Sequence, residues 1–143
     1  MDKFGSLASF TTAGVGPIPK ELVRRFPKEF RYTEERIIDL PVISKSILHV
    51  EMNDPSSFID IAKRGIYVFD WSDVHMRQKY ALDAYELTVT PLQPLKAQSL
   101  PQNLEIFTDL IAFPDEDFSK AKTIDPRLSM SCVDGKYRLQ SLL

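Results

Sequence analysis

The end of the chain carries an Asp-Gly pair between two alternating runs, in the sequence LSMSCVDGKYRLQSLL (residues 128–143). Asp-Gly favours a two-residue β-hairpin turn, because both central residues of a type I′ turn need a positive φ. With Asp134 and Gly135 in the turn, the register places one set of apolar side chains on a shared face: Leu128, Met130, Cys132, Tyr137 and Leu139. Since both strands agree on the buried side, the sequence predicts a C-terminal β-hairpin within a mostly antiparallel sheet.

Four further stretches are predicted as strands. Apolar and polar residues alternate over AYELTVTP (residues 84–91) and SILHVEM (residues 46–52), as in strands with one buried face. The run IYVF (residues 66–69) is wholly apolar, which is typical of a strand buried on both faces. The stretch NLEIFTDLIAF (residues 103–113) is rich in strand formers, and its alternation slips near Phe107, which indicates a β-bulge.

Two short helices complete the predicted domain. In DPSSFIDIAKRG (residues 54–65), Asp54 is a capping residue, Pro55 takes the first helical position, and Gly65 ends the helix. The predicted buried stripe of this helix is formed by Phe58, Ile61 and Ala62. In WSDVHMRQKYAL (residues 71–82), a serine caps the second helix. The fold class is therefore predicted to be α+β.

The N-terminal part of the chain differs in character from the rest. FGSLASFTTAGVGPIP (residues 4–19) has no charged residue, holds three of the five glycines and shows no periodicity, so residues 1–19 are interpreted as an extended N-terminal arm. Residues 20–36 are a basic connecting segment, partly helical, in which PKELVRRF could make two turns that Pro27 closes. Residues 37–143 then form a single α+β domain.

Composition excludes several classes of protein. The chain has 143 residues, of which 43% are hydrophobic and 27% charged, and its net charge is −2. The length and composition are typical of one globular domain. The small negative net charge provides no positive electrostatic potential that would attract nucleic acid. A single cysteine cannot form an internal disulfide, and no apolar run reaches the roughly 18 residues of a membrane-spanning helix. We expect a cytoplasmic protein, or one in a particle assembled there, with neither membrane nor nucleic acid as a partner.

The residues that could carry chemistry are sparse and poorly spaced. Asp73 and His75 are two residues apart on a predicted helix, so they point away from each other, and Asp70 precedes that helix. His49 takes a polar position in a strand, and Cys132 lies on the predicted core side of the hairpin. The Gly-Val-Gly of the leader precedes proline and matches no dinucleotide-binding motif. The sequence therefore indicates no enzyme, no metal site and no cofactor.

The uncharged leader is the main functional clue. An extended arm that binds a neighbouring subunit would offset its ordering cost with the contacts it makes. The residues expected to make those contacts are Phe4, Leu7, Phe10, Val15, Arg24 and Arg25. We therefore expect a structural or adaptor subunit of a larger assembly, such as a phage or virus particle or a secretion-like machine. This interpretation predicts that the domain folds without residues 1–16 and that its partners are protein subunits, either its own copies or neighbours.

Two alternatives remain open. The arm could fold back over its own domain and cover an apolar patch there. The protein could also be a small immunity or antitoxin-type protein that neutralises a partner through an acidic edge formed by Asp115, Glu116 and Asp117. The mass in solution separates these functions, since a stable multimer favours assembly and a monomer favours the neutralising protein.

Overall fold

The computed structural model describes residues 1–12, 16–18, 23–24, 26–71 and 84–132. Its strands are β1 (Ala8–Thr11), β2 (Ser46–Leu48), β3 (Tyr67–Trp71), β4 (Tyr85–Pro91), β5 (Ile111–Ala112), β6 (Thr123–Ile124) and β7 (Ser131–Cys132). Its helices are α1 (Pro27–Arg31), α2 (Thr33–Ile38), α3 (Ser56–Ala62), α4 (Gln102–Leu110) and α5 (Pro126–Ser129), with a short 3₁₀ turn at Ala97–Ser99. The chain is thus α+β, as predicted.

One mostly antiparallel sheet organises these elements in the order β1-β3-β4-β2. β1 pairs with β3 in parallel, whereas β4 is antiparallel to β3, to β2 and to the short β6. β5 and β7 form a separate antiparallel pair. β1 and β2 therefore lie at opposite ends of the main sheet.

β3 is one of the two interior strands, and every one of its residues is buried. Its alternating side chains divide the core into two clusters, one on each face of the sheet. The first cluster contains Val68 together with α3 residues and Val89, and the second contains Phe69 together with Tyr85. The prediction of a strand buried on both faces at residues 66–69 is confirmed.

β4 is the predicted strand of residues 84–91, but it does not keep one apolar face throughout. Val68 is paired with Val89, whereas the next β3 residue, Phe69, is paired with Leu87. Thr88 is therefore an extra residue in β4, and such a bulge turns the following side chain to the other face. As a result Leu87 packs against the second cluster, while Val89 belongs to the first.

α3 forms where its sequence signals predict a helix, but it begins one residue later than predicted, because Pro55 is the N-cap residue and Ser56 is the first helical residue. Oδ1 of Asp54 accepts a hydrogen bond from the backbone N–H of Ser56 (3.1 Å), and Phe58, Ile61 and Ala62 are buried as expected. Gly65 has a φ of +85° just beyond the helix, a conformation that side chains other than glycine rarely adopt.

The strand predicted over residues 103–113 is wrong. Residues 102–110 form α4 rather than a bulged strand, and only Ile111–Ala112 is extended. Leu104, Phe107 and Thr108 lie on one helix face, and burial of that face outweighs the strand propensity of the residues. Before α1, Val23 and Arg24 are helical and Phe26 is not, and Pro27 then takes the first turn of α1, where no backbone N–H is needed.

The predicted C-terminal hairpin is only partly within the described residues. Its first strand is shorter than predicted, because Asp125 caps α5 by accepting from the N–H of Arg127 (3.0 Å). Leu128 lies on that helix with 84% of its surface exposed, so its assignment to the apolar face is wrong, whereas Met130 is buried. Ser131–Cys132 pairs with β5. The Asp134-Gly135 turn, the second strand and most of the predicted helix over residues 71–82 lie outside the described residues.

Candidate functional site

The N-terminal segment packs against its own domain over residues 1–12. Leu7 is a buried member of the first cluster. The ring of Phe10 stacks on Phe69 and Phe113, with centroid separations of 5.3 and 5.2 Å. β1 thereby covers the apolar rings of β3. This part of the leader is a strand of the main sheet and not a free arm, in line with the fold-back alternative.

The other residues predicted to bind a partner are not gathered with Leu7 and Phe10. Phe4 is 60% exposed, and it lies at the turn before β1. Arg24 is exposed in a short helical stretch. Val15 and Arg25 lie outside the described residues. The six residues therefore do not form one surface among the described positions.

A different part of the molecule concentrates exposed apolar side chains. The largest exposures there are those of Val42 (62%) and Leu92 (54%), followed by Ile47 (46%). The full set at this place is Val42, Ile43, Ile47, Leu48 and Leu92. All of them lie in β2, in the chain just before it, or at the end of β4 beside it. We call these residues and the outer side of β2 the β2 edge.

Hydrogen bonds between β2 and β4 show which backbone groups of β2 point towards β4 and which point away from it. The carbonyl of Lys45 accepts from Leu92 N–H (2.9 Å), and His49 N–H donates to the Thr88 carbonyl (2.9 Å). Because such bonds alternate along an antiparallel pair, Ile47 also bonds towards β4. The N–H and C=O groups of Ser46 and Leu48 therefore point away from the sheet. In the described part of the chain, no strand pairs with that outer side.

The two faces of β2 differ. Leu48 lies opposite Val89 on the face that α3 covers. Ile47 lies opposite Thr90 on the other face, where Leu92 is a diagonal neighbour. The His49 side chain is on this same face, with Nε2 2.7 Å from Oγ1 of Thr90. Ile47 and Leu92 thus form an apolar patch next to open backbone groups.

The sequence contained a signal for this edge. In the alternation of SILHVEM, Ile47 takes a position of the polar face, together with His49 and Glu51. One aliphatic residue at a solvent-facing position is ordinary, but Ile47 lies beside exposed Leu48 and Leu92, and contiguous exposed apolar side chains are typical of an interaction surface. Sequence reasoning missed Ile47 because the uncharged leader was interpreted as the docking element.

A cleft of about 710 Å³ lies between β1 and the helices α1, α2 and α4. Its walls are largely apolar, and the rings of Phe30 and Phe107 meet edge to face across 5.4 Å within it. The Tyr85 hydroxyl at the cleft donates to the Pro17 carbonyl (3.0 Å), and burial, aided by the charge of Asp70, raises the pKa of Tyr85. Among the described lining residues, every charged side chain lies on α1 or α2, and Met1 adds the N-terminal amino group, whose pKa burial lowers to about 6.

The acidic loop at residues 115–117 is held by contacts within the chain. The Asp117 carboxylate accepts from the N–H of Ser119 (3.0 Å) and from its hydroxyl, which lowers the pKa of Asp117. The Glu116 carbonyl accepts from the N–H of Lys3 (3.1 Å). Asp115 is exposed. The loop thus ties the N-terminal segment to the second cluster in addition to presenting charge.

The candidates for metal or acid–base chemistry are dispersed. No group of three or more His, Cys, Asp or Glu side chains that could hold a metal ion occurs among the residues described. Asp70 is buried in β3, and His49 is on the sheet surface. Asp73 and His75 lie outside the described residues, as does the side chain of Cys132. Across the described ranges, no helix has the length and apolarity to cross a bilayer.

Comparison with known proteins assigns neither a family nor a function to the chain. No family model matches the chain. No curated protein and no solved structure matches it either. A functional conclusion therefore depends on the β2 edge, the cleft and the acidic loop themselves.

Proposed function

We propose that this chain is a non-enzymatic interaction protein, a structural or adaptor subunit of a larger protein assembly, and that it docks by strand addition at the β2 edge. The observation that carries the proposal is the coincidence of exposed Ile47 and Leu92 with the outward backbone groups of Ser46 and Leu48. Backbone hydrogen bonds provide affinity in strand addition, and apolar side chains on alternate positions provide specificity.

Physical reasoning supports the β2 edge over the other end of the sheet. An open strand edge is a template for pairing with another chain, and soluble proteins usually shield it. All four residues of β1 are half-buried, whereas Ile47 and Leu48 of β2 are exposed. Contiguous exposed apolar surface beside such an edge is typical of an interaction site.

The proposal retains the predicted class of protein and changes the docking element. Leu7 and Phe10 are engaged inside the domain, so they are not available to bind a neighbour without opening the sheet. β1 then has a supporting role, because it completes the sheet whose far end presents the β2 edge. Partner contacts by Phe4 and Arg24 would be additional to this surface.

Photo-crosslinking tests the proposal and at the same time captures the partner. A benzoylphenylalanine placed at Ile47 in the full chain, in cells that produce it, is expected to form a covalent adduct with one defined protein segment. The same group at Leu128, which is also exposed to solvent but lies on α5 and is not part of the β2 edge, is the matched control. The absence of an adduct from position 47 above the level at position 128 would overturn docking at the β2 edge.

The neutralising immunity or antitoxin-type function is a second candidate with a narrower basis. Its support is the exposed Asp115, which lies beside Asp117, a residue whose pKa the Ser119 contacts lower. Reversal of the Asp115 charge by Asp115→Lys is the test, with Glu51→Lys as a control at another exposed acidic position. If Asp115→Lys loses partner binding, Glu51→Lys retains it, and position 47 forms no crosslink, the neutralising function is favoured.

A further inference from the structure

We infer that the partner at the β2 edge is a second copy of this chain, paired antiparallel across a two-fold axis that passes beside Ile47. This inference rests on the proposed docking at the β2 edge and names the occupant. Three features support it: the backbone register of β2, the side chains on its open face, and the charges that flank it.

The backbone of β2 is complementary to itself in one register. The outward groups belong to Ser46 and Leu48, which are separated by one residue. If Ser46 of one copy faces Leu48 of the other, each pair exchanges two N–H···O=C bonds. The two-fold axis repeats the pair, so four bonds use every outward donor and acceptor of both three-residue strands. A two-fold interface of this kind needs no surface other than the β2 edge.

The same register brings the apolar side chains together. Between two outward-bonded pairs lies a pair without hydrogen bonds, and Ile47 then faces Ile47 of the other copy. Side chains of such a pair approach closely, since their Cα atoms are about 4.5 Å apart. Leu92 lies one strand further from the axis, diagonally behind Ile47 on the same face, so it flanks the Ile47 pair within each copy. The pairing accounts for the 46% exposure of Ile47 in the single chain.

The charges around β2 permit the pairing. Residues 40–50 contain no Asp or Glu, and Lys45 and His49 are their basic side chains. In the two-fold register Lys45 lies opposite His49 of the other copy, at the ends of the short interface. Both residues are exposed, so the Lys45 ammonium can extend to water while its methylene groups cover the apolar centre. No buried charge results from dimer formation.

The size of the strand predicts a weak dimer. Three paired residues with two aliphatic side chains from each copy bury less than the roughly 1,600 Å² of a standard interface. We therefore expect a dimer that dissociates on dilution, in the micromolar range or above. Such reversible pairing is suited to subunits that are joined many times in an assembly.

Sedimentation equilibrium of the full chain, from about 1 μM to about 1 mM, tests the inference. The expected result is a rise in average mass from one chain to two and no further. Ser46→Pro removes an outward N–H without removing a bond to β4, and Ile47→Lys places two ammonium groups face to face. Each is expected to raise the dissociation constant about tenfold or more. Leu128→Lys is the matched control and leaves it unchanged, and thermal melting of all variants verifies that they are folded.

The outcomes separate the two proposals. A monomer over the whole concentration range, with a crosslink from position 47 to a different protein, would overturn the inference that the partner is a second copy. It would still support docking at the β2 edge. A monomer without any crosslink from position 47 would overturn both. A dimer that Ser46→Pro and Ile47→Lys leave intact would overturn the β2 register, since some other surface would then join the copies.

Discussion

The Asp2 carboxylate accepts a hydrogen bond from the backbone N–H of Phe118 at 2.9 Å, and both groups are buried. The other oxygen of the carboxylate accepts from the N–H groups of Phe4 (3.0 Å) and Ser6 (2.8 Å). One side chain thus fixes the turn before β1 and ties it to the aromatic second cluster, in which Phe118 lies. This contact is the structural reason that the leader belongs to the domain.

Substitution of Asp2 is expected to destabilise the protein. Asp2→Ala leaves the N–H groups of Ser6 and Phe118 without their acceptor in a buried place, and such a loss costs about 2 kcal/mol or more. Urea unfolding followed by circular dichroism measures the change in the free energy of unfolding. Lys3→Ala, at the exposed neighbouring position, is the control. A loss for Asp2→Ala no larger than that of the control would contradict the role of the carboxylate.

Removal of the leader is expected to unfold the domain, contrary to the expectation from the sequence. A chain that lacks residues 1–16 has no β1, so β3 loses its parallel neighbour and the rings of Phe69 and Phe113 lose Phe10. Loss of the near-ultraviolet circular dichroism signal and of a cooperative thermal transition would show this. A truncated chain that melts at the temperature of the full chain would support the free-arm interpretation instead.

The two phenylalanines of the leader provide a matched pair of substitutions. Phe10→Ala removes a ring that stacks on Phe69 and meets Tyr85 edge to face at 5.2 Å, and we expect a loss of about 3 kcal/mol. Phe4→Ala removes a ring that is 60% exposed, and the expected loss is within about 0.5 kcal/mol. Equal effects of the two substitutions on chemical denaturation would argue against the placement of β1.

Substitutions at the two glycines with positive φ distinguish the effect of backbone strain from that of a steric clash. Both Gly5 and Gly65 have a φ above +70°, so alanine at either position is strained by about 1 kcal/mol. A Cβ at Gly65 would also lie 2.5 Å from the backbone N of Leu95, whereas a Cβ at Gly5 meets no atom within 4 Å. We expect Gly65→Ala to lower the melting temperature clearly more than Gly5→Ala does. The reverse order would be inconsistent with the close approach of the chain at Gly65.

Alkaline pH is expected to weaken the fold through Tyr85. Burial raises the pKa of Tyr85 in the folded chain above its ordinary value near 10, with a further contribution from the charge of Asp70. The folded state therefore favours the neutral phenol. The resulting stability is complete below pH 10 and is lost as the pH rises towards the raised pKa. In Tyr85→Phe, urea unfolding between pH 9 and pH 11 should show a smaller decline, although the lost bond to Pro17 costs about 1 kcal/mol at neutral pH.

Some elements follow from signals that lie within a few residues of each other. α3 is one, because Asp54, Pro55 and Gly65 mark its ends and the spacing of its apolar residues marks its buried side. β3 is another, since its continuous apolar run is compatible with burial on both faces. These signals depend on local backbone preferences and on periodicity, which a single sequence displays.

Other elements depend on partners that are distant along the chain. The strand formers near Phe107 become helical because Leu104 and Thr108 can be buried on one helix face. The intrinsic secondary-structure propensities of the residues do not include the free energy of this tertiary burial. Thr88 is a bulge only because of its register with β3, which no local pattern reveals. The β2 edge likewise exists because β2 pairs with β4 on one side and with no described strand on the other.

The sequence by itself determined the α+β class, the helix α3 and the two strands at the centre of the sheet, because short-range sterics, capping and alternation suffice for them. Only the tertiary structure decided the place of the leader and the surface left open. FGSLASFT has no periodicity of its own. Its conformation is set by the neighbouring Asp2 carboxylate, and by a parallel strand and a cluster of rings contributed from far along the chain. Burial depends on which partners are within reach, and the fold alone brings them together.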